Sequence, residues 1–175
     1  MIFVSVGTHE APFDRLLRAV HDLRLDEELV VQHGPSEVRC DRATEFDYLS
    51  FDSVLDHVRR ARAVVTHAGV GSVMLTLAHG KRPIVMARQC RYGEHVDDHQ
   101  VELAGRLEAA GLVEVVADGR TLSASLARDA EPPTPIAGVP WLGTALADYL
   151  AEQLGEPAEP TRNGGLRRTS PGRCR

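Results

Sequence analysis

The segment Ala63-Val64-Val65-Thr66-His67-Ala68-Gly69-Val70-Gly71-Ser72 decides the fold of this 175-residue chain. Its apolar, β-branched beginning predicts a buried strand, and residues 73–78 beyond the glycines predict a helix. A strand, a tight turn and a helix start form an anion site, because the first helical N–H groups have no intrahelical acceptor. Gly69 and Gly71 let a phosphate approach the backbone, and Ser72 adds a hydroxyl. There is no G-x-G-x-x-G motif or P-loop lysine, and a plain connecting turn is the alternative.

Further apolar runs alternate with amphipathic segments along the rest of the chain. Strands are predicted at residues 2–6, 29–33, 63–66, 83–87 and 112–116, with a strand and edge loop at 46–51. Helices are predicted from Pro12, after a cap at Asp52 or Ser53, after the glycine turn, over about 94–110 and at 122–126. This alternation predicts an α/β fold with one doubly wound, parallel, Rossmann-like sheet. Ligands of such sheets bind outside the carboxyl ends of the strands.

The domain organisation follows from composition and charge. Residues 1–155 are expected to form one domain that includes a helix at 141–154, and residues 156–175 to form a disordered tail. The tail carries +3, and subtracting it from the total of −5 leaves −8 on the domain. An acidic domain argues against a nucleic-acid partner. No apolar run approaches the roughly 20 residues that span a bilayer. Three cysteines without a signal peptide predict a cytoplasmic location.

Three polar clusters follow predicted strands, at residues 7–10, 67–72 and 88–100. Because the carboxyl ends of parallel strands meet at one edge of a sheet, the clusters are expected to converge. This convergence favours the anion site over the plain connecting turn.

Three motifs within these clusters carry a family resemblance. They are VGTHEAPFD at residues 6–14, THAGVGS at 66–72 and GEHVDDHQ at 93–100. Together they resemble the nucleotide-sugar-binding C-terminal domain of family 28 glycosyltransferases, which is half of a GT-B fold. The resemblance covers residues 1–126, and it is nearest to the small, stand-alone Alg13-like subunits of bacterial exopolysaccharide assembly.

The resemblance implies roles in binding a UDP-sugar donor. The residues implied to hold the diphosphate are Gly69, Val70, Gly71 and Ser72, with Gly7 and Thr8 on its other side. The backbone at Phe51 is implied to contact uracil, and His99 and Gln100 to face the donor sugar. The remaining candidate donor contacts are His67, Arg88, Glu94 and His95. One position departs from the family pattern, since Leu75 stands where the family has a ribose-binding glutamate.

The resemblance also implies an activity. The chain is expected to be the catalytic subunit of an inverting, metal-independent hexosyltransferase that needs no cofactor besides its donor. The acceptor, a lipid-linked saccharide, would be presented by a membrane-anchored Alg14-like partner, which would hold the chain at the inner face of the membrane. We assign the general base to His9, with Glu10 as its possible orienter. A non-catalytic nucleotide-sugar-binding subunit or scaffold is the alternative.

Several residues keep a second interpretation. His95 and His99, four apart on a predicted helix, have zinc-ligand spacing, but no third ligand is evident, and sugar contacts or solvated residues are the alternatives. Arg88 is a diphosphate contact or a surface partner of Glu94, and His67 is a phosphate contact or a hydrogen-bonded turn residue. The helix at 141–154 packs on the sheet or docks the partner.

Overall fold

The computed structural model describes residues 1–24 and 26–128. Their six strands are β1 (Ile2–Ser5), β2 (Leu29–Gln32), β3 (Ala43–Phe46), β4 (Ala63–His67), β5 (Ile84–Met86) and β6 (Glu114–Val115). All neighbours pair in parallel, in the order β3-β2-β1-β4-β5-β6. The predicted parallel, Rossmann-like sheet is confirmed. The boundary at 155, the helix at 141–154 and the tail lie outside the described residues.

Five helices connect or flank these strands in the described part of the chain. They are α1 (Asp14–His21), α2 (Phe51–Arg60), α3 (Val70–Ala78), α4 (His99–Ala109) and α5 (Gly119–Leu126), with a short 3-10 turn at Cys90–Tyr92. Across residues 1–24 and 26–128, none of the helices has the length and apolar character needed to cross a bilayer.

Strand β1 lies in the interior of the sheet between β2 and β4, and every one of its residues is buried. Ile2 pairs with Leu29 of β2 on one side and with Ala63 of β4 on the other. The strand order reverses between β1 and β4, so the connections after these two strands leave on opposite faces of the sheet. A crevice therefore opens at their carboxyl ends, where doubly wound folds bind ligands.

The third strand and the start of α2 differ from the sequence prediction. Strand β3 occupies residues 43–46 rather than 46–51, and its residues are only partly buried or exposed, so they carry little apolar pattern. The N-cap of α2 is Ser50, whose Oγ accepts a hydrogen bond from Ser53 N–H at 3.2 Å. The prediction of a cap at Asp52 or Ser53 is wrong, because Ser50 already satisfies this early amide.

The helix predicted over 94–110 begins only at His99. Asp97 Oδ1 accepts a hydrogen bond from His99 N–H at 3.2 Å, and Asp98 Oδ1 accepts one from Cys90 N–H at 2.8 Å. These local carboxylate–amide bonds offer the backbone an alternative to helical pairing. His95 and His99 therefore do not share a helical face.

Candidate functional site

The loops that follow β1 and β4 meet across the imidazole of His67. A Cβ added to Gly7 would lie 2.3 Å from His67 Cε1, and one added to Gly69 would lie 2.1 Å from His67 Nε2. Because no real Cβ approaches another atom this closely, the ring itself requires glycine at both positions. The absence of a side chain at Gly69 is therefore explained by packing against His67, in addition to the phosphate approach that the sequence suggested.

His67 is a neutral polar group in this position. Its Nδ1 lies 3.3 Å from Thr66 Oγ1. Burial, and next the nearby charge of Arg88, lower the pKa of His67 to about 4. The imidazole is therefore uncharged near neutral pH, which fits the hydrogen-bonded turn residue better than a cationic phosphate contact.

Free backbone donors stand at the beginning of α3. Its first intrahelical bond runs from Val73 N–H to Gly69 O at 3.1 Å. The amides of Val70, Gly71 and Ser72 precede that bond, and they have no acceptor within residues 1–24 and 26–128. The start of a helix attracts anions because these amides and the helix dipole are positive there. The strand–turn–helix geometry predicted for an anion site is therefore present, and the ligand remains a prediction.

Arg88 lies inside the protein, fully buried. Its Nη2 donates to Val6 O at 2.9 Å, and its Nη1 donates to the carbonyls of Ala11, Pro12 and Glu94 at 2.9, 3.2 and 3.1 Å. Burial lowers the pKa of Arg88 to about 10, which leaves the guanidinium charged. It therefore holds the loop after β1 against the loop after β5. Both sequence interpretations, a direct diphosphate contact and a surface pair with Glu94, are at odds with this placement.

Glu94 is also part of this buried framework. Its carboxylate receives a two-point contact from Arg15, with Nε–Oε1 and Nη2–Oε2 distances of 3.0 and 2.8 Å. Oε2 also accepts from Gln89 N–H at 3.0 Å. Because three donors engage the carboxylate, the structure gives Glu94 a positioning role and lends no support to the predicted donor contact.

The two residues predicted to face the donor sugar differ in exposure. Gln100 is buried, and its Oε1 accepts from Arg88 N–H at 3.3 Å. His99 is exposed at the first turn of α4, where its Nδ1 contacts Asp97 Oδ1. Of these two side chains, that of His99 is the one exposed to a ligand.

His9, the candidate base, lies after β1 and is partly buried. Its Nδ1 accepts a hydrogen bond from Ala11 N–H at 3.0 Å, and its ring centroid lies 4.8 Å from that of His95. Burial, followed by the charges of Arg88 and His95, lowers the pKa of His9, whereas the charge of Glu10 opposes this shift. The Ala11 amide, rather than the predicted Glu10, orients the ring. Thr8 and Glu10 are exposed beside it.

Gln32, which the sequence analysis did not single out, connects the turn after β1 to the segment that precedes α2. Gln32 Nε2 donates to Ser5 Oγ at 3.3 Å and to Gly7 O at 3.2 Å, and its Oε1 accepts from Leu49 N–H at 3.2 Å. An amide side chain at the end of an otherwise apolar predicted strand was the available signal. The Leu49 loop leads into Phe51, which is exposed at the start of α2.

Leu75 lies on α3 with 7% of its surface exposed. It belongs to an apolar cluster with Phe3, Val58 and Val64. The position where the family pattern has a ribose-binding glutamate is therefore apolar and packed in this chain. Any recognition of a ribose must use other groups.

His95, Asp97 and His99 lie together at the start of α4. One potential ligand atom from each lies within 4.8 Å of the others. The statement that no third ligand accompanies the two histidines is therefore wrong. The assignment of residues 94–98 to a helix concealed Asp97, because helical neighbours two positions apart point in different directions.

Comparison with known proteins agrees with this architecture. The chain is similar to UDP-N-acetylglucosamine transferase subunit ALG13 of Yarrowia lipolytica, with 38% identity over 64 residues, 37% of this chain and 30% of that protein. It is similar to the Homo sapiens protein of the same name, with 31% identity over 123 residues, 63% of this chain and 10% of that protein. The chain therefore spans less than a third of either relative.

Solved structures support the fold. The crystal structure of CalG4, the calicheamicin glycosyltransferase, superposes with a TM-score of 0.54 at 18% identity, over 87% of this chain and 38% of that one. The expected correspondence to half of a GT-B fold is thus confirmed. The family model of the glycosyltransferase family 28 C-terminal domain matches residues 1–137. Since this match covers most of the chain, the protein belongs to the glycosyltransferase family 28 C-terminal domain family.

Proposed function

We propose that this chain is the donor-binding, catalytic subunit of a glycosyltransferase that moves a sugar from a UDP-sugar to a lipid-linked saccharide during exopolysaccharide assembly. Membership of family 28 and the likeness to two proteins named UDP-N-acetylglucosamine transferase subunits support the donor class. The observation that carries the proposal is the set of three unpaired amides at the start of α3, beside the crevice between β1 and β4.

The charges around the crevice suit an anionic leaving group. Arg15 and Glu94 form an ion pair, and Arg88 adds a buried positive charge beneath the loops. His67 is neutral, so the buried framework carries a net positive charge. Preorganised donors and a fixed positive charge stabilise a diphosphate as it leaves the sugar. The reaction therefore has electrostatic help from this chain without a metal ion, and we propose an inverting, metal-independent transfer.

The proposed general base is His9. It must take the acceptor proton at Nε2, which requires the hydrogen of the neutral imidazole to be on Nδ1. That tautomer gives up the hydrogen bond from Ala11 N–H, which costs about 1 kcal/mol. We infer that acceptor binding compensates this loss. The His9→Ala protein, assembled with its partner, should lose turnover and keep donor affinity, and full activity would refute the assignment.

We propose that a second chain supplies the acceptor side of the reaction. A GT-B transferase reacts in a cleft between two domains, and the described residues form one of them. We propose a membrane-anchored, Alg14-like partner that binds the lipid-linked acceptor and places this subunit at the cytoplasmic face of the membrane. The two similar ALG13 proteins are themselves named as subunits, which supports a partnered enzyme.

Val70 provides a sharp test of the amide site. Val70 is the first residue of α3, a position where proline is tolerated, and the extended backbone of Gly69 (φ −76°, ψ 131°) suits a residue before proline. Val70→Pro therefore removes one amide donor while keeping the helix, and Val70→Ala keeps the amide.

Calorimetric titration of both variants with UDP and UDP-N-acetylglucosamine measures the contribution of that amide. A charge-assisted hydrogen bond contributes about 1.5–3 kcal/mol, so Val70→Pro should weaken binding about 10- to 100-fold. Val70→Ala should bind as the parent does. If the proline and alanine variants bound with equal affinity, the proposal that the diphosphate binds at the start of α3 would be refuted.

One observation favours the non-catalytic alternative, a nucleotide-sugar-binding scaffold. Leu75 is buried in an apolar cluster at the position where the resemblance implies a ribose-binding carboxylate. Substitution of His99 separates the two functions, because its side chain is exposed and does not support the fold. His99→Ala in the assembled enzyme should change turnover or donor choice if this chain is catalytic. Unchanged kinetics would favour the scaffold.

A further inference from the structure

A group of metal-ligand side chains lies outside the amide site. His95 and Asp97 precede α4, and His99 is its first residue. His95 Nδ1 lies 3.2 Å from Asp97 Oδ1, and His99 Nδ1 contacts the same oxygen. One carboxylate oxygen thus stands between two imidazole rings, whose centroids are 4.6 Å apart.

One atom of this group is poorly satisfied by the protein alone. His95 Nδ1 is fully buried, and it forms no hydrogen bond within the described residues, because its approach to Asp97 lacks hydrogen-bond geometry. The His95 side chain is 12% exposed, whereas Asp97 and His99 are 55% and 57% exposed. A buried nitrogen without a partner costs free energy that an external ligand would recover.

We propose that His95, Asp97 and His99 form a binding site for Zn²⁺ or a similar divalent transition-metal ion. Two histidines and a carboxylate are an established zinc donor set, and three protein ligands leave a coordination position for water or substrate. Ligands about 2.1 Å from a tetrahedral ion lie about 3.4 Å apart. The present separations of up to 4.8 Å would close by at most about 1.4 Å, which the exposed side chains of Asp97 and His99 permit.

The site has a consequence that rests on the proposed function. His99 is the exposed member of the pair proposed to face the donor sugar, and the His95 ring packs on His9, the proposed base. An ion held by His95, Asp97 and His99 fixes His99 away from the sugar. Metal binding and donor binding therefore compete, and the ion acts as an inhibitor of a transfer that does not itself require metal.

A zinc titration of the full chain, with any affinity tag removed, tests the site directly. The parent carries Cys90→Ser and Cys174→Ser, so that exposed or tail thiols do not contribute. A chromophoric chelator reports affinity, and cobalt in place of zinc reports coordination by its visible absorption. We expect one ion per chain, and at least tenfold weaker binding in each of His95→Gln and Asp97→Asn.

The matched control is Asp98→Asn, which changes the neighbouring carboxylate and leaves the three ligands intact. Asp97→Asn keeps an oxygen to accept the His99 amide, so the start of α4 is preserved. Absence of saturable binding in the parent, or equal binding in all variants, would overturn the proposal.

A second titration separates the two proposals. Zinc should weaken UDP-sugar binding in the parent and leave it unchanged in Asp97→Asn. If the chain binds no UDP-sugar at all, the proposed function fails, while the chelator measurement still decides the metal site. If zinc and UDP-sugar bind independently, the competition is refuted.

Discussion

Replacing Gly69 by alanine tests whether the His67 imidazole is the reason that this position excludes a side chain. Gly69 has φ −76° and ψ 131°, which alanine adopts without strain. The new Cβ would lie 2.1 Å from His67 Nε2, so the ring must move. The backbone of Gly7 also lies against this ring, since a Cβ added to Gly7 would lie 2.3 Å from His67 Cε1. The whole cost of Gly69→Ala should therefore come from displacing this one imidazole.

The expected magnitude follows from the packing. Forcing extra volume into a packed site costs about 1–3 kcal/mol in the free energy of unfolding. In a His67→Ala background the obstacle is gone, so the same substitution should cost less than about 0.5 kcal/mol. The difference, about 0.5–3 kcal/mol, is the coupling energy of the double-mutant cycle.

Two other glycines provide matched controls. Gly80 has φ +69° and no atom within 4 Å of an added Cβ, so Gly80→Ala should cost about 1–2 kcal/mol from left-handed backbone alone, in either background. Gly7 has φ +80° in addition to its close approach to His67. The His67→Ala background should therefore remove only part of the free-energy cost of Gly7→Ala. Urea unfolding followed by circular dichroism gives the free energies. An equal cost of Gly69→Ala with and without His67 would refute the reasoning.

Three further perturbations have defined outcomes. Arg88→Met should lower the free energy of unfolding by at least ~3 kcal/mol, because four carbonyls lose a buried donor, and Arg88→Lys should recover part of this in urea unfolding. Since the pKa of His67 is about 4 when folded and near 6.5 when unfolded, the unfolded chain binds the proton first as pH falls. The contribution of His67 to stability should therefore be constant above pH 6.5 and fall towards pH 4, by up to ~1.4 kcal/mol per pH unit, and His67→Gln should remove this part of the profile. Lys81 Nζ donates to the carbonyls of Val58, Arg59 and Ala61 at the end of α2, so Lys81→Met should lower the thermal midpoint and Lys81→Arg should lower it less.

The central part of the fold was predictable from the sequence because its strands are buried on both faces. Residues 2–5, 29–32 and 63–67 are nearly continuous apolar runs, and the glycine turn after β4 marks the strand-to-helix junction. Strand β3, at the sheet edge, is only half-buried and contains Thr44 and Glu45, so its apolar pattern is weak. The predicted segment at 46–51 therefore began three residues and ended five residues after the observed strand.

The site was less predictable because its polar residues have roles that tertiary contacts decide. Arg88 was expected to face a ligand or the solvent, but four carbonyls from distant segments bury it. Val96 lies two helical turns before Leu103, so residues 94–98 were assigned to α4. That spacing does not reveal the competing carboxylates of Asp97 and Asp98. Sequence periodicity reports which face is apolar, and it does not report which donor meets which acceptor.

The Gln32 amide described above has a consequence for engineering. A single side chain bonds the turn after β1 and also the segment that leads into α2, so these two parts of the crevice share one support. A redesign that remodels residues 47–50 would shift the backbone at Gly7 through this amide. Substitutions in either segment should therefore be screened together with compensating changes around Gln32, rather than one loop at a time.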